Sequence, residues 1–91
     1  MEKYIKAIKI ITEEQSKVVG KDLAHGLAKG VTGIKIEREI ITITGDPIDI
    51  LKNLVDRYSL LFGKASIEVA KGALKKLDVK FDERELPSNL K

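Results

Sequence analysis

The sequence contains no cysteine and a single histidine, His25. The absence of cysteine excludes disulfide bonds, a thiolate nucleophile and cysteine ligands for a metal ion. A small domain without cysteine fits a reducing compartment, so we expect a cytoplasmic protein. A lone histidine in a predicted helix is usually a surface or packing residue, and His25 therefore does not indicate a metal site.

Long apolar segments are missing as well. Near the start of the chain, apolar residues are interrupted by Lys3, Lys6 and Lys9 before the core of a signal peptide could form. No apolar run approaches the ~20 residues that a membrane-spanning helix needs. We therefore expect a protein without a membrane partner.

Motifs of catalytic and nucleotide-binding sites are also absent. The sequence has no phosphate-binding loop and no dinucleotide fingerprint, and no side chain stands with a base as an activated nucleophile. The acidic residues Glu13, Glu14, Asp46 and Asp49 fit helix starts, where the helix dipole favours carboxylates. The sequence thus predicts a protein that is not an enzyme and holds no cofactor or metal ion.

Lysine, glutamate and isoleucine dominate the composition. The chain has 14 Lys, 8 Glu and 12 Ile, against 1 Gln, 2 Asn and 1 Met. Many charged and few thermolabile side chains are typical of thermophile proteins. The net charge of +3 permits a polyanionic partner such as nucleic acid, although a solvated surface of lysine and glutamate gives the same value.

The length of 91 residues fits one domain. We expect a single α+β domain over residues 1–86 and a frayed tail over residues 87–91. The composition, with 43% hydrophobic and 34% charged residues, is that of a folded chain.

The first segment of this domain has two interpretations. The β-branched residues Ile8, Ile10 and Ile11 favour a strand over residues 4–11. The spacing of Tyr4, Ile8, Ile11 and further apolar residues is instead that of a helix. Periodicity alone does not decide between the two for so short a segment.

A helix start is predicted at Thr12, because Gln15 stands at the capping-box position three residues later. Gly20 interrupts the apolar pattern that follows, and Gly33 is expected to end the segment as a C-cap. We predict helix over about 12–31, with one long helix over residues 4–31 as the alternative.

The clearest strands lie in a hairpin over about 34–44. Ile34 and Ile36 share one face of its first strand, and Ile41 and Ile43 share one face of its second. Because the charged connection between the strands has no glycine, we expect a loop of more than two residues.

Two further helices are predicted after the hairpin. The first covers residues 47–62, with Asp46 as N-cap and Pro47 as first residue, and the second covers residues 64–77. Residues 78–86 alternate in polarity and predict a short edge strand. The predicted fold class is α+β, a small antiparallel sheet covered on one face by helices over about 12–31, 47–62 and 64–77; in the alternative, the element order is α-β-β-α.

The span from Ile8 to Phe62 resembles a type I KH domain, a small module that binds single-stranded RNA or DNA. Four segments carry the resemblance: Ile8-Lys9-Ile10-Ile11, Ser16 to Leu23, Thr32 to Ile36, and Ile41 to Gly45. The second segment stands where the family has its GxxG loop, with Leu23 in place of the closing glycine.

The resemblance implies a nucleic-acid groove along this loop. The backbone of the ligand would pass close to the main chain of the loop, bases would lie on an apolar floor of the first hairpin strand, and nearby lysines would attract phosphates. The implied contact residues are Lys17, Val18, Val19, Gly20, Lys21, Lys29, Ile34, Lys35 and Ile36.

A second hypothesis is a structural or protein-interaction role without nucleic acid. The small residues Gly26, Gly30, Ala65, Gly72 and Ala73 allow close contacts between helices. A chain rich in isoleucine and leucine also has apolar surface to bury between subunits. The partner that this hypothesis predicts is a second copy of the chain, in a homodimer.

Overall fold

Helices make up most of the computed structural model, which describes residues 2–91. The helices are α1 (Glu2–Val19), α2 (Lys21–Lys29), α3 (Pro47–Phe62) and α4 (Ala65–Leu74), and the strands are β1 (Ile34–Glu37) and β2 (Ile40–Ile43). The predicted α+β class and the small antiparallel sheet are confirmed. Within residues 2–91, no helix is both long enough and apolar enough to cross a bilayer.

Helix α1 decides between the two interpretations of residues 4–11, and the strand interpretation is wrong. Its buried side chains contact α2, α3, α4 and β2. A helix brings residues spaced by three and four to one face, whereas a strand turns alternate side chains to solvent. The buried stripe consists of Tyr4, Ala7, Ile8, Ile11, Thr12 and Gln15.

The predicted helix start at Thr12 is also wrong. Thr12 lies in the middle of α1 and is buried. Gln15 is fully buried, and its side-chain Nε2 donates a hydrogen bond to the carbonyl oxygen of Ser66, 2.9 Å away. Both side chains therefore pack inside the protein and do not cap a helix. The hydrogen bond of Gln15 joins α1 to the start of α4.

Gly20 separates α1 from α2, as its place in the apolar pattern suggested. Its φ of 95° lies in a region that favours glycine, and its N–H donates to the carbonyl oxygen of Ser16 at 2.9 Å. The predicted helix over about 12–31 is thus parts of two helices. The alternative, in which residues 4–31 are mostly one long helix, is closer to the structure and differs from it by the break at Gly20.

The hairpin has the predicted faces. Ile34 lies opposite Ile43, and Ile36 lies opposite Ile41. Ile34 is buried and the other three are half-buried against the core, so one face of the sheet is covered by helices. The remaining residues of both strands are exposed on the opposite face.

The turn of the hairpin differs from the prediction of a longer loop. Only Arg38 and Glu39 connect the strands, and their φ angles are 50° and 69°. Two-residue turns of this kind match the twist of the strands and are usually built from Asn and Gly. For other residues the left-handed backbone costs about 1–2 kcal/mol each. The pairing of the isoleucine-rich strands on both sides of the turn offsets this cost.

Helix α3 begins and ends as predicted. The Oδ1 atom of Asp46 accepts a hydrogen bond from the N–H of Ile48 at 2.9 Å, Pro47 is the first helical residue, and Gly63 ends the helix with a φ of 78°. Tyr58 in its last part is fully buried. Helix α4 is shorter than the predicted range of 64–77.

The segment after α4 forms a short 3₁₀ turn (Glu83–Glu85) and no strand. The carboxylate of Glu85 accepts from the N–H of Asp82 at 2.8 Å and from Nζ of Lys3 at 2.8 Å. The segment lies beside α1 and therefore has no strand edge to pair with. The predicted frayed tail is also wrong, since Leu90 is 4% exposed and packs in the core.

Small residues permit close helix contacts at only some of the predicted positions. A Cβ atom at Gly30, the C-cap of α2, would lie 2.7 Å from Nη1 of Arg57, so the end of this side chain from α3 fills the space beside the glycine. At Gly26 and Gly72 a Cβ atom would meet nothing within 4 Å. Ala73 is buried, whereas Ala65 is exposed, and the five positions therefore do not form one contact surface.

Candidate functional site

A groove of about 320 Å³ lies where α1, α2 and the hairpin meet, and we name it the junction groove. Side chains of both helices form its walls, and the inner face of the hairpin forms its floor. The walls are Lys9, Thr12, Glu13, Ser16, Lys21 and His25, and the floor and far edge are Ile36, Ile41 and Glu39.

The helical state of α1 creates this groove. The α1 wall residues are spaced by three and four positions and therefore share one face of the helix. Lys21 and His25 stand one turn apart on α2 in the same way. Ile36 and Ile41 are direct partners in the hairpin, which makes a continuous apolar floor.

The charges of the junction groove are mixed. Nζ of Lys21 lies 3.6 Å from the carboxylate of Glu39, and both side chains are mostly exposed. Such an exposed ion pair is worth at most about 1 kcal/mol, so an anionic ligand can replace Glu39 as the partner of Lys21. Lys9 and Glu13 make no ion pair with any residue of the range 2–91.

Thr12 lines this groove, but its hydroxyl oxygen is buried. Its Oγ1 atom is buried and has no hydrogen-bond partner among residues 2–91. The neighbouring Tyr58 hydroxyl donates to the carbonyl oxygen of Ala24 at 2.8 Å. Burial raises the pKa of Tyr58, and the Thr12 hydroxyl opposes this rise. Because the Thr12 Oγ1 atom is buried and acts on Tyr58, a ligand in the groove does not reach it.

The start of α2 adds backbone donors next to the groove. Gly20 precedes the helix and gives no side-chain cap, and the space around its Cα is open. The first N–H groups of a helix attract anions. Asp22, in the first turn of α2, opposes this attraction because its carboxylate lies close to the same N–H groups.

The junction groove contains two of the nine residues that the resemblance implies, Lys21 and Ile36, and Gly20 adjoins it. Ile34 is 7% exposed and belongs to the core. Lys35 lies on the opposite face of the hairpin, where its Nζ is 2.9 Å from the carboxylate of Glu37. The alternation of a strand explains this, because Lys35 and Ile36 must point to opposite sides.

The other implied residues also lie outside the groove. Nζ of Lys17 pairs with the carboxylate of Glu14 at 2.7 Å. Val18 is 66% exposed, Val19 packs against the core, and Lys29 is exposed at the end of α2. Lys17, Val18 and Val19 precede the helix break, whereas Lys29 lies at the far end of α2, and the four residues are not gathered at one ligand site.

Sequence reasoning missed most of the groove. The α1 wall could have been found from its helical spacing, had residues 4–11 been assigned to a helix. His25 could have been found from its position one turn after Lys21, and Ile41 from its pairing with Ile36. No group of three or more histidine or acidic side chains within residues 2–91 could hold a metal ion.

A second exposed feature lies on α3. Leu60 is 84% exposed and Leu61 is 57% exposed. Leucine side chains that stand singly on a surface are common, whereas two adjacent ones form a small apolar patch. Val18 and Leu23 are further large apolar side chains that are exposed on helices.

The comparisons with known proteins leave the function to be argued from these features. The chain was compared with protein-family models, with curated proteins and with solved structures. No family model, no curated protein and no solved structure matches it.

Proposed function

We propose that the protein is a non-enzymatic, KH-like module that binds single-stranded RNA or DNA in the junction groove. One observation carries the proposal. Lys21 and Ile36, two residues that the resemblance implies, line the same groove, where a cation stands beside an apolar floor. An apolar surface for bases next to a cation for phosphates is the arrangement that the resemblance implies for a single-stranded ligand.

The ligand lies across the groove in the proposed complex. Bases cover Ile36 and Ile41, and phosphates face Lys21, Lys9 and the first N–H groups of α2. The open backbone at Gly20 lets the phosphates approach the main chain. Ile8 to Ile11, which the resemblance places in a first strand, are helical, so the proposal rests on the three later segments of the resemblance.

The acidic side chains of the site make this binding weak. Glu13, Glu39 and Asp22 repel phosphates, and Glu39 also competes for Lys21. With phosphate contacts from two lysines, the logarithm of the binding constant should fall with the logarithm of salt concentration with a slope of about −1.4.

The test is a fluorescence-anisotropy titration of labelled, mixed-sequence single-stranded RNA and DNA at low salt. Lys21→Gln should weaken binding about fivefold, because one phosphate contact is lost. Glu39→Gln should strengthen binding, because it removes the competing carboxylate. Lys64→Gln is the matched control, since Lys64 is exposed, lies outside the junction groove and makes no ion pair with residues 2–91.

Two results would overturn the proposal. The first is the absence of binding by the unsubstituted protein at low salt. The second is an equal effect of Lys21→Gln and Lys64→Gln, which would assign the binding to overall charge and not to the groove.

A second candidate function is favoured by the exposed pair Leu60 and Leu61. In this alternative, the protein is an interaction module that forms a homodimer through α3, with the leucines buried between the two copies. Light scattering over a range of concentrations tests it. A dimer that Leu60→Glu with Leu61→Glu converts to a monomer supports the alternative, and a monomer at high concentration of the unsubstituted protein excludes it.

A further inference from the structure

A larger groove, of about 680 Å³, lies between α4 and the chain that follows it. We name it the C-terminal groove. Its lining is mostly apolar, and most of these side chains are only half-buried against the core. A ligand that covered them would gain the free energy of removing apolar surface from water. The apolar lining consists of Leu74, Leu77, Val79, Phe81, Leu86 and Leu90.

The edge of the C-terminal groove is basic. Lys71, Lys75 and Lys80 lie along it, against the single carboxylate of Glu68. That carboxylate is 3.9 Å from Nζ of Lys71 and is largely exposed, so it neutralises the edge only weakly. Lys75 and Lys80 make no ion pair with any residue in the described part of the chain.

We propose that the C-terminal groove binds an acidic amphipathic helix of a partner protein. The apolar stripe of such a helix covers the leucines of the lining, as in other helix-in-groove complexes. Lys71 lies in the last turn of α4, and Lys75 caps the end of the helix with a helical backbone, so the two lysines are one helical turn apart. This spacing matches glutamates three or four residues apart on the bound helix. Lys80 lies on the opposite wall, where it can pair with acidic side chains on the other flank of the bound helix.

The geometry favours a protein helix over nucleic acid at this site. Phe81 is the aromatic ring of the lining, and single-stranded nucleic acid binds by stacking its bases on such rings. The Phe81 ring is already engaged, with Nζ of Lys3 at 4.8 Å from the ring centroid and the Tyr4 ring at 5.2 Å and 72°. The groove thus offers leucines and lysines, which suit the apolar stripe and the acidic flanks of a helix, around a ring that already contacts Lys3 and Tyr4.

The experiment uses two labelled peptides of about 20 residues, long enough to form helices. Both carry leucine at helical spacing on one face. One carries glutamate at the flanking positions, and the other carries lysine at the same positions. Fluorescence anisotropy with the full chain should show saturable binding of the acidic peptide that weakens with salt, and no binding of the basic peptide.

Substitutions then assign the binding to the groove. The pair Lys75→Glu with Lys80→Glu should lower the affinity for the acidic peptide by about tenfold or more, because two attractive contacts become repulsive. Leu77→Ala should lower the affinity as well, through lost apolar contact. Lys64→Glu reverses an exposed charge outside the groove and should leave the affinity within about twofold. Circular dichroism of each variant checks that the fold is retained.

Three outcomes would overturn the proposal. The first is equal binding of the acidic and basic peptides. The second is an equal effect on affinity of Lys64→Glu and of the groove variant, Lys75→Glu with Lys80→Glu. The third is displacement of the acidic peptide by a single-stranded oligonucleotide whose own affinity falls in the groove variant. The last result would identify a nucleic-acid site. Lys21→Gln should not change peptide binding, so the junction groove and the C-terminal groove succeed or fail independently.

Discussion

The hydroxyl of Tyr58 donates a hydrogen bond to the carbonyl oxygen of Ala24, 2.8 Å away, and both residues are fully buried. This bond joins α3 to α2 beside the junction groove. Tyr58→Phe should lower the free energy of unfolding by about 1–2 kcal/mol, since the buried carbonyl then lacks this partner. Urea denaturation measures the change.

Tyr4→Phe is the matched control for this prediction. The Tyr4 hydroxyl donates to the carbonyl oxygen of Glu85 at 2.9 Å, in a part-buried position where water can replace it. Tyr4→Phe should therefore lower the free energy of unfolding by less than Tyr58→Phe does. A Tyr58→Phe variant as stable as the unsubstituted protein would show that the bond between α3 and α2 does not contribute to stability.

The Lys3–Glu85 ion pair predicts that the stability of the fold decreases at acidic pH. The hydrogen bond from Lys3 and the N–H of Asp82 lower the pKa of Glu85. A carboxylate with a lowered pKa in the folded state stabilises the fold above its unfolded pKa, and this contribution is lost as the pH falls through its folded pKa. Lys3→Met should raise the pKa of Glu85 toward its ordinary value, as measured by NMR titration. An unchanged pKa would mean that the pair is not formed in solution.

The hairpin turn predicts a stabilising substitution. Arg38 and Glu39 both have positive φ angles, which Asn and Gly adopt at lower cost. Arg38→Asn with Glu39→Gly should therefore raise the free energy of unfolding by about 1–2 kcal/mol. Thermal and urea denaturation test the gain. Glu37→Gly, one residue earlier in β1, should instead destabilise the protein, because glycine weakens a strand.

Two glycines predict opposite responses to the same substitution. Gly33 has a φ of 96°, and a Cβ atom there would lie 2.6 Å from the carbonyl oxygen of Thr44 and 2.8 Å from Cδ1 of Ile50. Gly33→Ala should destabilise the protein by more than about 2 kcal/mol. Gly26→Ala should stabilise it by up to about 1 kcal/mol, since Gly26 lies in α2 with open space around it. Equal effects of the two variants would contradict this backbone geometry.

Local signals in the sequence were sufficient for the middle of the fold. Alternating isoleucines placed the faces of the hairpin, and Asp46, Pro47 and Gly63 fixed both ends of α3. Each of these signals acts within a few residues and does not depend on distant contacts. The hairpin and α3 were therefore predictable.

The first helix and the candidate site depended on distant contacts. The β-branched isoleucines of residues 8–11 favour a strand locally, yet they are buried against helices that come later in the chain. Tertiary burial overrode this preference. Since one wall of the junction groove is a face of α1, the strand interpretation of residues 4–11 hid that wall, and of the implied residues only Lys21 and Ile36 line the groove.

The contacts of α1 constrain the order in which the chain can fold. Gln15 is joined to Ser66, 51 residues later, and Lys3 is joined to Glu85, 82 residues later. Closing loops of this length has an entropic cost that local contacts do not have. During synthesis, α1 can therefore pack against α2 early, but its contacts with α4 and with Glu85 have to wait until those later residues have been made. The first element of the chain is in this sense among the last to reach its final packing.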